Sequence, residues 1–427
     1  MKEENSMGVI ILVITFLVET GFAVWSCLTG ERHRGEKLAV RTGGILLLIV
    51  LLLTGLLEGV FRYGGFMFIL VLQILIGILL LCRKKKTEKP FKTGKQVMAA
   101  FGTLALYLTA LLPALLFPQY KEPQVTGTHE VETAEYTWVD KNRVETYSDT
   151  GENRALTVKL WYPKEEGNYP LAVFSHGSLG IIDSNSSTCE ELASNGYVVA
   201  SIGHTYQAMF VQDTSGNITV ISPYFMNQVY EENGTRTPEG ERIVYDNSRE
   251  FMKIRTADMN FVLDTMIEKA EAGEEEPFDR IEEEKIGLFG HSLGGAAAVA
   301  AGRERTDISA VIDLEGTMLG EYVDFQNGTE VFNSEPYPVP LLDVNSAEVD
   351  AQARMLPGQE YVNFYVGEHA KEYQYEVIEG AGHLNFTDLP MVSPALAKML
   401  GVGSVDSREC IESVNQMILE FFDAYLK

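Results

Sequence analysis

The alternation of hydrophobic and polar positions divides this chain of 427 residues into two different parts. Up to Phe117, four long apolar stretches follow one another with short polar connections between them: Gly8–Leu28, Gly43–Phe61, Tyr63–Cys82 and Gln96–Phe117. Each approaches the roughly 20 apolar residues that a helix needs to cross the hydrocarbon layer of a membrane. The pattern therefore predicts an all-α bundle of four transmembrane helices in residues 1–118.

After a linker at 119–135, shorter apolar runs alternate with amphipathic stretches. Thr133–Tyr147 and Arg154–Tyr162 alternate as a pair of antiparallel strands does. Further strands are predicted at Pro170–Ser175, Tyr197–Ile202, Lys285–Phe289, Ser309–Leu314, Val339–Asn345 and Tyr373–Ile378. Helices are predicted between them, and a terminal amphipathic helix at Glu409–Tyr425. This alternation predicts an α/β domain over 136–427, with a mostly parallel sheet covered on both faces.

One connection in this domain is unusually long. Residues 205–247 separate the strand Tyr197–Ile202 from a helix predicted at Ser248–Ile267. Long connections in α/β units often form lids or binding loops. We expect such a lid here, and an insertion without a role at the site is the alternative.

Charge predicts how the chain is oriented in the membrane. Four basic residues between Arg32 and Arg41 follow the first apolar stretch, and seven between Arg83 and Lys95 follow the third. Because basic loops stay on the cytoplasmic side, both chain ends are expected outside the cytoplasm, together with the α/β domain. Residues 1–117 carry a net charge of +6 and the remainder −32. So acidic a domain argues against nucleic acid as a partner.

A serine between glycines is the most informative feature of the domain. The segment Gly290–Gly294 (GHSLG) follows the apolar run Lys285–Phe289 and precedes the small residues Gly295–Ala301. This is the context of the G-x-S-x-G nucleophile elbow, a tight strand-to-helix turn that only glycines can flank. The sequence therefore predicts Ser292 as a nucleophile, and a glycine-rich turn without chemistry is the alternative.

A serine nucleophile needs a histidine base and a carboxylate that orients it. In the α/β-hydrolase arrangement the acid and then the histidine follow the serine along the chain. His383 lies in a glycine-rich loop after the last predicted strand and is expected to be the base, whereas His369 lies in a charged run. Asp313 ends the strand after the nucleophile helix and is the favoured acid. Asp343 and Glu315 remain alternatives.

Two backbone N–H groups must hold the oxyanion that forms during acyl transfer. Leu293, directly after the nucleophile, is expected to supply one of them. The turn His176–Ser178 is expected to supply the other, from Ser178. His176 is predicted to organise this turn, and His291 to pack or to hydrogen-bond locally.

The remaining chemistry-bearing residues point to no cofactor. Cys189 and Cys410 both lie in the predicted domain, as a disulfide or as two buried thiols. No cluster of cysteine and histidine has the spacing of a zinc site, so no metal is expected. Glu19, in the first apolar stretch, is expected to be paired or interfacial rather than to serve transport.

Six ordered segments resemble the plasma-type platelet-activating-factor acetylhydrolase family of the α/β-hydrolase superfamily. They are Leu160–Pro163 (LWYP), Pro170–Gly180 (PLAVFSHGSLG), Gly290–Gly295 (GHSLGG), Ala310–Leu314 (AVIDL), Pro340–Ser346 (PLLDVNS) and Gly382–Asp388 (GHLNFTD). The resemblance covers about Trp138–Lys427. It implies an α/β-hydrolase fold and supports Asp313 and Ser178 in the roles above. The apolar stretches before Phe117 and the insertion at 205–247 have no counterpart in it.

The resulting hypothesis is a membrane-anchored, extracytoplasmic serine esterase. Ser292 attacks an ester carbonyl, His383 and Asp313 move the proton, and Ser178 and Leu293 hold the oxyanion. The expected substrates are short-acyl or phospholipid-like carboxylic esters, and the expected surroundings are a lipid bilayer. A peptidase or acyltransferase on the same triad, and a non-catalytic membrane sensor with a retired hydrolase domain, are the alternatives.

Overall fold

The computed structural model describes residues 6–82, 91–232, 238–274, 276–356 and 361–427. Most of the second basic connection, 83–90, lies outside these described residues. The chain divides into two compact units, Met1–Glu122 with Met391–Lys398 and Pro123–Pro390 with Met399–Lys427. The boundary after Glu122 falls inside the linker expected at 119–135, whose last residues belong to the first strand.

The first unit is built on long helices. They are α1 (Ser6–Thr29), α2 (Arg34–Leu53), α3 (Val60–Cys82) and α4 (Thr93–Leu116). Among the described residues, three segments are long and apolar enough to cross a membrane: Met7–Thr29, Val60–Cys82 and Thr93–Leu116.

The prediction of a second span at Gly43–Phe61 is wrong, because these residues do not form a single helix. Helix α2 begins at Arg34, and its first two turns are charged. It ends at Leu53, after which Gly55 and Gly59 adopt positive φ and carry the chain into α3. The apolar stretch therefore combines the end of one helix, a turn and the start of the next.

A buried ion pair lies inside this helical unit. Arg41 Nη2 donates to Glu19 Oε1 at 2.7 Å. The Tyr107 hydroxyl donates to the same oxygen at 3.3 Å and to Gln73 Oε1 at 2.5 Å. A carboxylate among apolar helices is costly unless it is paired and hydrogen-bonded. The pairing expected for Glu19 is therefore present.

The second unit contains the strands. In chain order they are β1 (Val131–Val144), β2 (Asn153–Pro163), β3 (Tyr169–Ser175), β4 (Val198–Gly203), β5 (Phe210–Gln212), β6 (Ile218–Val220), β7 (Ile281–His291), β8 (Ile308–Leu314), β9 (Tyr322–Gln326), β10 (Thr329–Phe332), β11 (Leu341–Ser346) and β12 (Tyr373–Ile378). The further helices of the chain are α5 (Ser186–Ser194), α6 (Pro223–Glu232), α7 (Pro238–Glu271), α8 (Leu293–Glu304), α9 (Ala347–Met355), α10 (Val362–His369), α11 (Leu389–Val392), α12 (Pro394–Leu400) and α13 (Ser407–Leu426).

Eight of these strands form one sheet in the order β1-β2-β4-β3-β7-β8-β11-β12. The pairs β1–β2 and β2–β4 are antiparallel, and the pairs from β4–β3 to β11–β12 are parallel. The mostly parallel sheet predicted from the sequence is confirmed. Because the carboxyl ends of parallel strands meet at one edge, the residues after β3, β7 and β8 lie close together.

Both faces of the sheet are covered by hydrophobic side chains. Val173 and Leu288 belong to a cluster that includes residues of α7 and α8. Their neighbours Phe174 and Phe289 point to the other face, into a cluster that includes α5 and α13. This two-sided burial explains why the central strands are continuous apolar runs rather than alternating ones.

The two cysteines of the domain lie in the second of these clusters. Cys189 and Cys410 are buried there as free thiols. The sequence left open a disulfide or two buried thiols, and the structure has the two buried thiols.

The insertion at 205–247 contains regular structure. A short hairpin of β5 and β6 is followed by α6, and α7 begins at Pro238, earlier than the expected Ser248. Residues 233–237 lie outside the described residues. The insertion thus lies between the carboxyl end of β4 and the long helix α7.

Candidate active site

Ser292 makes the turn between β7 and α8 by itself. Its backbone angles are φ 56° and ψ −126°, and positive φ is uncommon for a residue with a Cβ. The strand ends at His291 and the helix begins at Leu293. This strained conformation is the one that the nucleophile elbow requires, because it exposes the serine hydroxyl above the sheet.

The glycines around the serine are needed for space. A Cβ on Gly290 would lie 2.2 Å from the carbonyl oxygen of Gly294. A Cβ on Gly294 would lie 1.9 Å from the carbonyl oxygen of Ser175, at the end of β3. Only glycines allow the elbow, its helix and the neighbouring strand to approach this closely.

His383 lies in the loop after β12, beside the elbow. Its ring centroid is 4.5 Å from that of His291, the residue before the nucleophile. Its Nδ1 lies 2.6 Å from Glu315 Oε2. Since a carboxylate accepts, Nδ1 is the donor of this bond. Among the described residues, the Ser292 hydroxyl makes no hydrogen bond to this imidazole.

Glu315 is the first residue beyond β8 and also has a positive φ, of 52°. Its N–H donates to the carbonyl of Val344 at 2.8 Å. Its second carboxylate oxygen, Oε1, accepts from the N–H of Ser346 at 2.8 Å. The side chain is only 2% exposed. Backbone and carboxylate are thus both fixed, and the carboxylate points at the imidazole.

The favoured acid, Asp313, makes no hydrogen bond to His383. Its Oδ1 accepts from the N–H of Gly316 at 2.9 Å, and its Oδ2 has no hydrogen-bond partner among the residues that the structure describes. A Cβ on Gly295 would lie 1.8 Å from this Oδ1, so the carboxyl group lies against the start of α8. Asp313 is still within the strand and its side chain is short, whereas Glu315 lies past the strand end and reaches further. The carboxylate that the structure pairs with His383 is therefore that of Glu315, one of the two alternatives, and not that of Asp313 as expected.

Asp343 is also directed away from the imidazole. It accepts hydrogen bonds from the Tyr373 hydroxyl at 2.9 Å, from Asn363 Nδ2 at 3.1 Å and from Asn345 Nδ2 at 2.5 Å. It lies directly opposite Asp313 in the register of β8 and β11. Burial raises the pKa of Asp343 to about 6, and burial with the neighbouring Asp343 raises the pKa of Asp313 well above its usual value.

The turn after β3 lies next to the nucleophile. A Cβ on Gly177 would be 3.1 Å from Ser292 Cβ. The Gly177 carbonyl accepts from His176 Nδ1 at 2.7 Å and from the N–H of Gly180 at 3.1 Å. This carbonyl belongs to the same peptide unit as the N–H of Ser178, and in a trans peptide the two point in opposite directions. His176 therefore organises the turn as expected. Burial lowers its pKa well below the usual value, so that it is neutral.

Leu293 is the first residue of α8. The N–H groups of a first helical turn have no carbonyl within the helix to bind. The first N–H bound within this turn is that of Ala296, which donates to the Ser292 carbonyl at 3.1 Å, so the Leu293 N–H, three residues earlier, has no acceptor within the helix. The two N–H groups expected to hold the oxyanion therefore belong to the turn after β3 and to the first turn of α8.

His291 has a role that sequence reasoning missed. Its Nε2 lies 2.9 Å from the carbonyl oxygen of His383, so Nε2 carries the proton and donates it. Burial lowers the pKa of His291 well below its usual value and keeps the ring neutral. His291, the residue between Gly290 and Ser292, therefore holds the backbone of His383. No local sequence signal indicates this contact, because the two residues are 92 positions apart.

The insertion reaches the neighbourhood of the elbow. Phe225 of α6 is fully buried and clusters with Phe251, Met252 and Leu293. The ring centroids of Phe225 and Phe251 are 5.1 Å apart, and the rings meet edge to face. An apolar wall therefore adjoins the residue after the nucleophile.

With this geometry in view, the comparisons with known proteins identify the family. Residues 146–427 match the sequence profile of the family described as platelet-activating factor acetylhydrolase, isoform II. The chain belongs to this family. The match covers most of the second unit and none of the helices α1–α4.

Relatives in the family are distant. A platelet-activating factor acetylhydrolase of Bos taurus is 26% identical in an alignment of length 280 that covers 60% of this chain and 57% of the relative. That of Gallus gallus is 26% identical in an alignment of length 281 that covers 60% of this chain and 62% of the relative. The chain therefore spans about three fifths of the length of these curated relatives.

A solved structure supports the fold independently of the family profile. The ferulic acid esterase from Streptomyces cinnamoneus superposes with a TM-score of 0.54 and 22% sequence identity. The superposition covers 71% of this chain and 92% of the esterase. At this identity the likeness concerns the fold alone, and the predicted α/β-hydrolase fold is confirmed.

Proposed function

We propose that this protein is a serine hydrolase of carboxylic esters. Ser292 Oγ attacks the ester carbonyl while His383 Nε2 takes the hydroxyl proton. Glu315 stabilises the resulting imidazolium through Nδ1. The imidazolium then returns the proton to the departing alcohol, and water hydrolyses the acyl-enzyme by the same relay. The observation that carries this proposal is the Glu315–His383 pair, at 2.6 Å, beside the strained Ser292 turn.

The oxyanion of each tetrahedral intermediate is held by backbone N–H groups in this proposal. Leu293 supplies one at the start of α8, and Ser178 supplies the other from the turn after β3. Such preorganised donors act where charge develops, and removing one costs roughly 100-fold to 1,000-fold in kcat.

The proposed substrates are short-acyl or phospholipid-like esters. Membership of the family supports this class, since the curated relatives are named platelet-activating factor acetylhydrolases. The apolar cluster of Phe225 and Phe251 with Leu293 supports it too, because the acyl group of such an ester is apolar.

The proposed location is a membrane, with the catalytic unit on the extracytoplasmic side. Three membrane-length helices among the described residues support the anchoring. Lys92 and Lys95 flank the start of α4, and the sequence before them is strongly basic, whereas only Lys121 follows closely after its end. By the positive-inside rule the start of α4 is cytoplasmic, and the chain beyond it is exported.

The experiment measures hydrolysis of p-nitrophenyl acetate and p-nitrophenyl octanoate by the full chain in detergent. Ser292→Ala is expected to lower kcat at least about 1,000-fold, because the remaining groups have no nucleophile. Ser334→Ala, at an exposed position, is the matched control and keeps the wild-type rate. A Ser292→Ala variant as active as this control contradicts the proposed mechanism. A wild-type preference for octanoate over acetate contradicts the short-acyl class alone.

A further inference from the structure

We propose that Arg255 and His204 are positioning residues for the oxyanion hole. They act through Ser175 and His176, whose atoms hold the turn that carries the Ser178 N–H. This inference rests on the proposed function and deepens it, because it names the groups that keep one oxyanion donor in place.

The first part of the support is a chain of buried hydrogen bonds behind the turn. His204 Nδ1 lies 2.8 Å from Asp258 Oδ2, and His204 Nε2 lies 2.9 Å from Ser175 Oγ. All three side chains are fully buried. They have the residue types of a catalytic triad, but no substrate can reach a serine at this depth. These hydrogen bonds therefore form a structural relay, which ends at Ser175, the last residue of β3.

The protons in this relay have one consistent arrangement. The carboxylate of Asp258 accepts, so His204 Nδ1 carries a proton. Burial lowers the pKa of His204 to about 3, so the ring is neutral and its Nε2 accepts from the Ser175 hydroxyl. Asp258 stays charged because Arg154 Nε and Nη2 each donate to it at 2.6 Å. Each member of the relay thus has a fixed role as donor or acceptor.

Arg255 supplies the second part of the support. Its Nη1 donates to the His176 carbonyl at 2.8 Å and to Ser175 Oγ at 3.4 Å. Its Nε donates to Gln207 Oε1 at 2.7 Å. Burial lowers the pKa of Arg255 to about 9, which still leaves the guanidinium protonated at neutral pH. A fully buried cation is costly unless hydrogen bonds offset the loss of water, and one of the hydrogen bonds of Arg255 ends on the backbone of the turn.

Together these bonds fix two successive peptide units. Arg255 holds the carbonyl of the His176–Gly177 peptide, and His176 Nδ1 holds the carbonyl of the Gly177–Ser178 peptide. The second peptide carries the proposed oxyanion donor. An oxyanion donor must lie about 2.7–3.1 Å from the charge it stabilises. A small rotation of either peptide would therefore move the Ser178 N–H out of range.

The experiment compares Arg255→Met and Ser175→Ala in the full chain in detergent. Arg303→Met is the matched control. It breaks a 2.6 Å bond to the buried carboxylate of Glu321 near the far end of α8, away from the turn. The measurements are Tm, kcat and KM on p-nitrophenyl acetate, and Ki for a trifluoromethyl ketone. The ketone forms a tetrahedral adduct whose oxyanion occupies the hole.

Loss of positioning is expected to lower kcat about 10-fold to 100-fold in Arg255→Met and less in Ser175→Ala, with KM within about threefold of wild type. The Ki for the ketone is expected to rise by the same factor as kcat falls. Arg303→Met is expected to lower Tm without changing kcat or Ki. A purely structural role for Arg255 would give the pattern of the control.

The inference is overturned when folded Arg255→Met and Ser175→Ala keep the wild-type kcat and Ki. Should Arg255→Met not fold, Ser175→Ala decides, since it removes a single oxygen atom. A wild-type protein that hydrolyses no ester overturns the proposed function itself. That result is distinct from an active wild type with unaffected variants.

Discussion

At the scale of single residues, the contact of Glu315 with His383 determines how the proposed base works. The carboxylate is bound at both oxygens, by the imidazole and by the Ser346 N–H. It therefore cannot turn away as the proton moves. A carboxylate held in this way selects the tautomer with Nδ1–H and stabilises the imidazolium that forms after the attack.

Substitution of the two neighbouring acids separates their roles. Glu315→Gln is expected to lower kcat on p-nitrophenyl acetate about 1,000-fold to 10,000-fold, because the amide neither fixes this tautomer nor stabilises the imidazolium. Asp313→Asn is expected to stay within about threefold of wild type, because its side chain lies against α8. The opposite ranking, measured on folded variants, would return the acid role to Asp313.

The sequence is informative about Ser292 and His383 because glycines flank the serine and precede the histidine. It favoured Asp313 over Glu315, which lies two positions further along the same segment. The pairing with His383 depends on the positive φ of Glu315, which turns the longer side chain toward the imidazole. No local pattern of residue types encodes that backbone angle.

At the scale of elements, β8 and β11 place the carboxyl groups of Asp313 and Asp343 opposite each other. Burial penalises both charges, and two adjacent carboxylates oppose each other's ionisation. Asp343 accepts three hydrogen bonds and is well suited to carry charge. Asp313 has one donor and is the group that holds the proton.

This pair predicts how stability depends on pH. A carboxyl group whose pKa is raised in the folded state gives stability that is complete below the unfolded pKa, about 3.9. The stability is lost as the pH rises through the folded pKa, which burial and the neighbouring Asp343 raise well above the usual value for Asp313. Asp313→Asn has no proton to lose at that position. The difference between the Tm of Asp313→Asn and the Tm of the wild type is therefore expected to move in favour of the variant as the pH rises from 4 to 8. A difference that is the same at all pH values would contradict this.

Apolar runs predicted the strands well because a sheet buried on both faces needs them. They failed where an element begins among charged or polar residues. Helix α2 begins at Arg34 and α7 at Pro238, in segments whose hydropathy gives no helix signal. In both cases contacts with neighbouring helices override the local pattern.

At the scale of the whole molecule, the chain joins a helical unit to a second unit, and the family match concerns only the second. The proposed orientation of this second unit depends on the charges around α4. Cysteine at the exposed position 334, as Ser334→Cys, is expected to react with a membrane-impermeant maleimide on intact spheroplasts. Of the four native cysteines, Cys189 and Cys410 are buried, Cys27 is half-buried and Cys82 is exposed, so the wild-type chain is labelled in parallel to give their background. Labelling that requires lysis would place the second unit in the cytoplasm.

The most direct test of the proposed mechanism is covalent labelling of the full chain with a fluorophosphonate, followed by peptide mass spectrometry. Such probes react with serines that an adjacent base activates. One adduct is expected, on Ser292, absent in Ser292→Ala and formed much more slowly in Glu315→Gln. A fully folded protein that forms no adduct, or forms it on another serine, would contradict the assignment of Ser292 as the nucleophile.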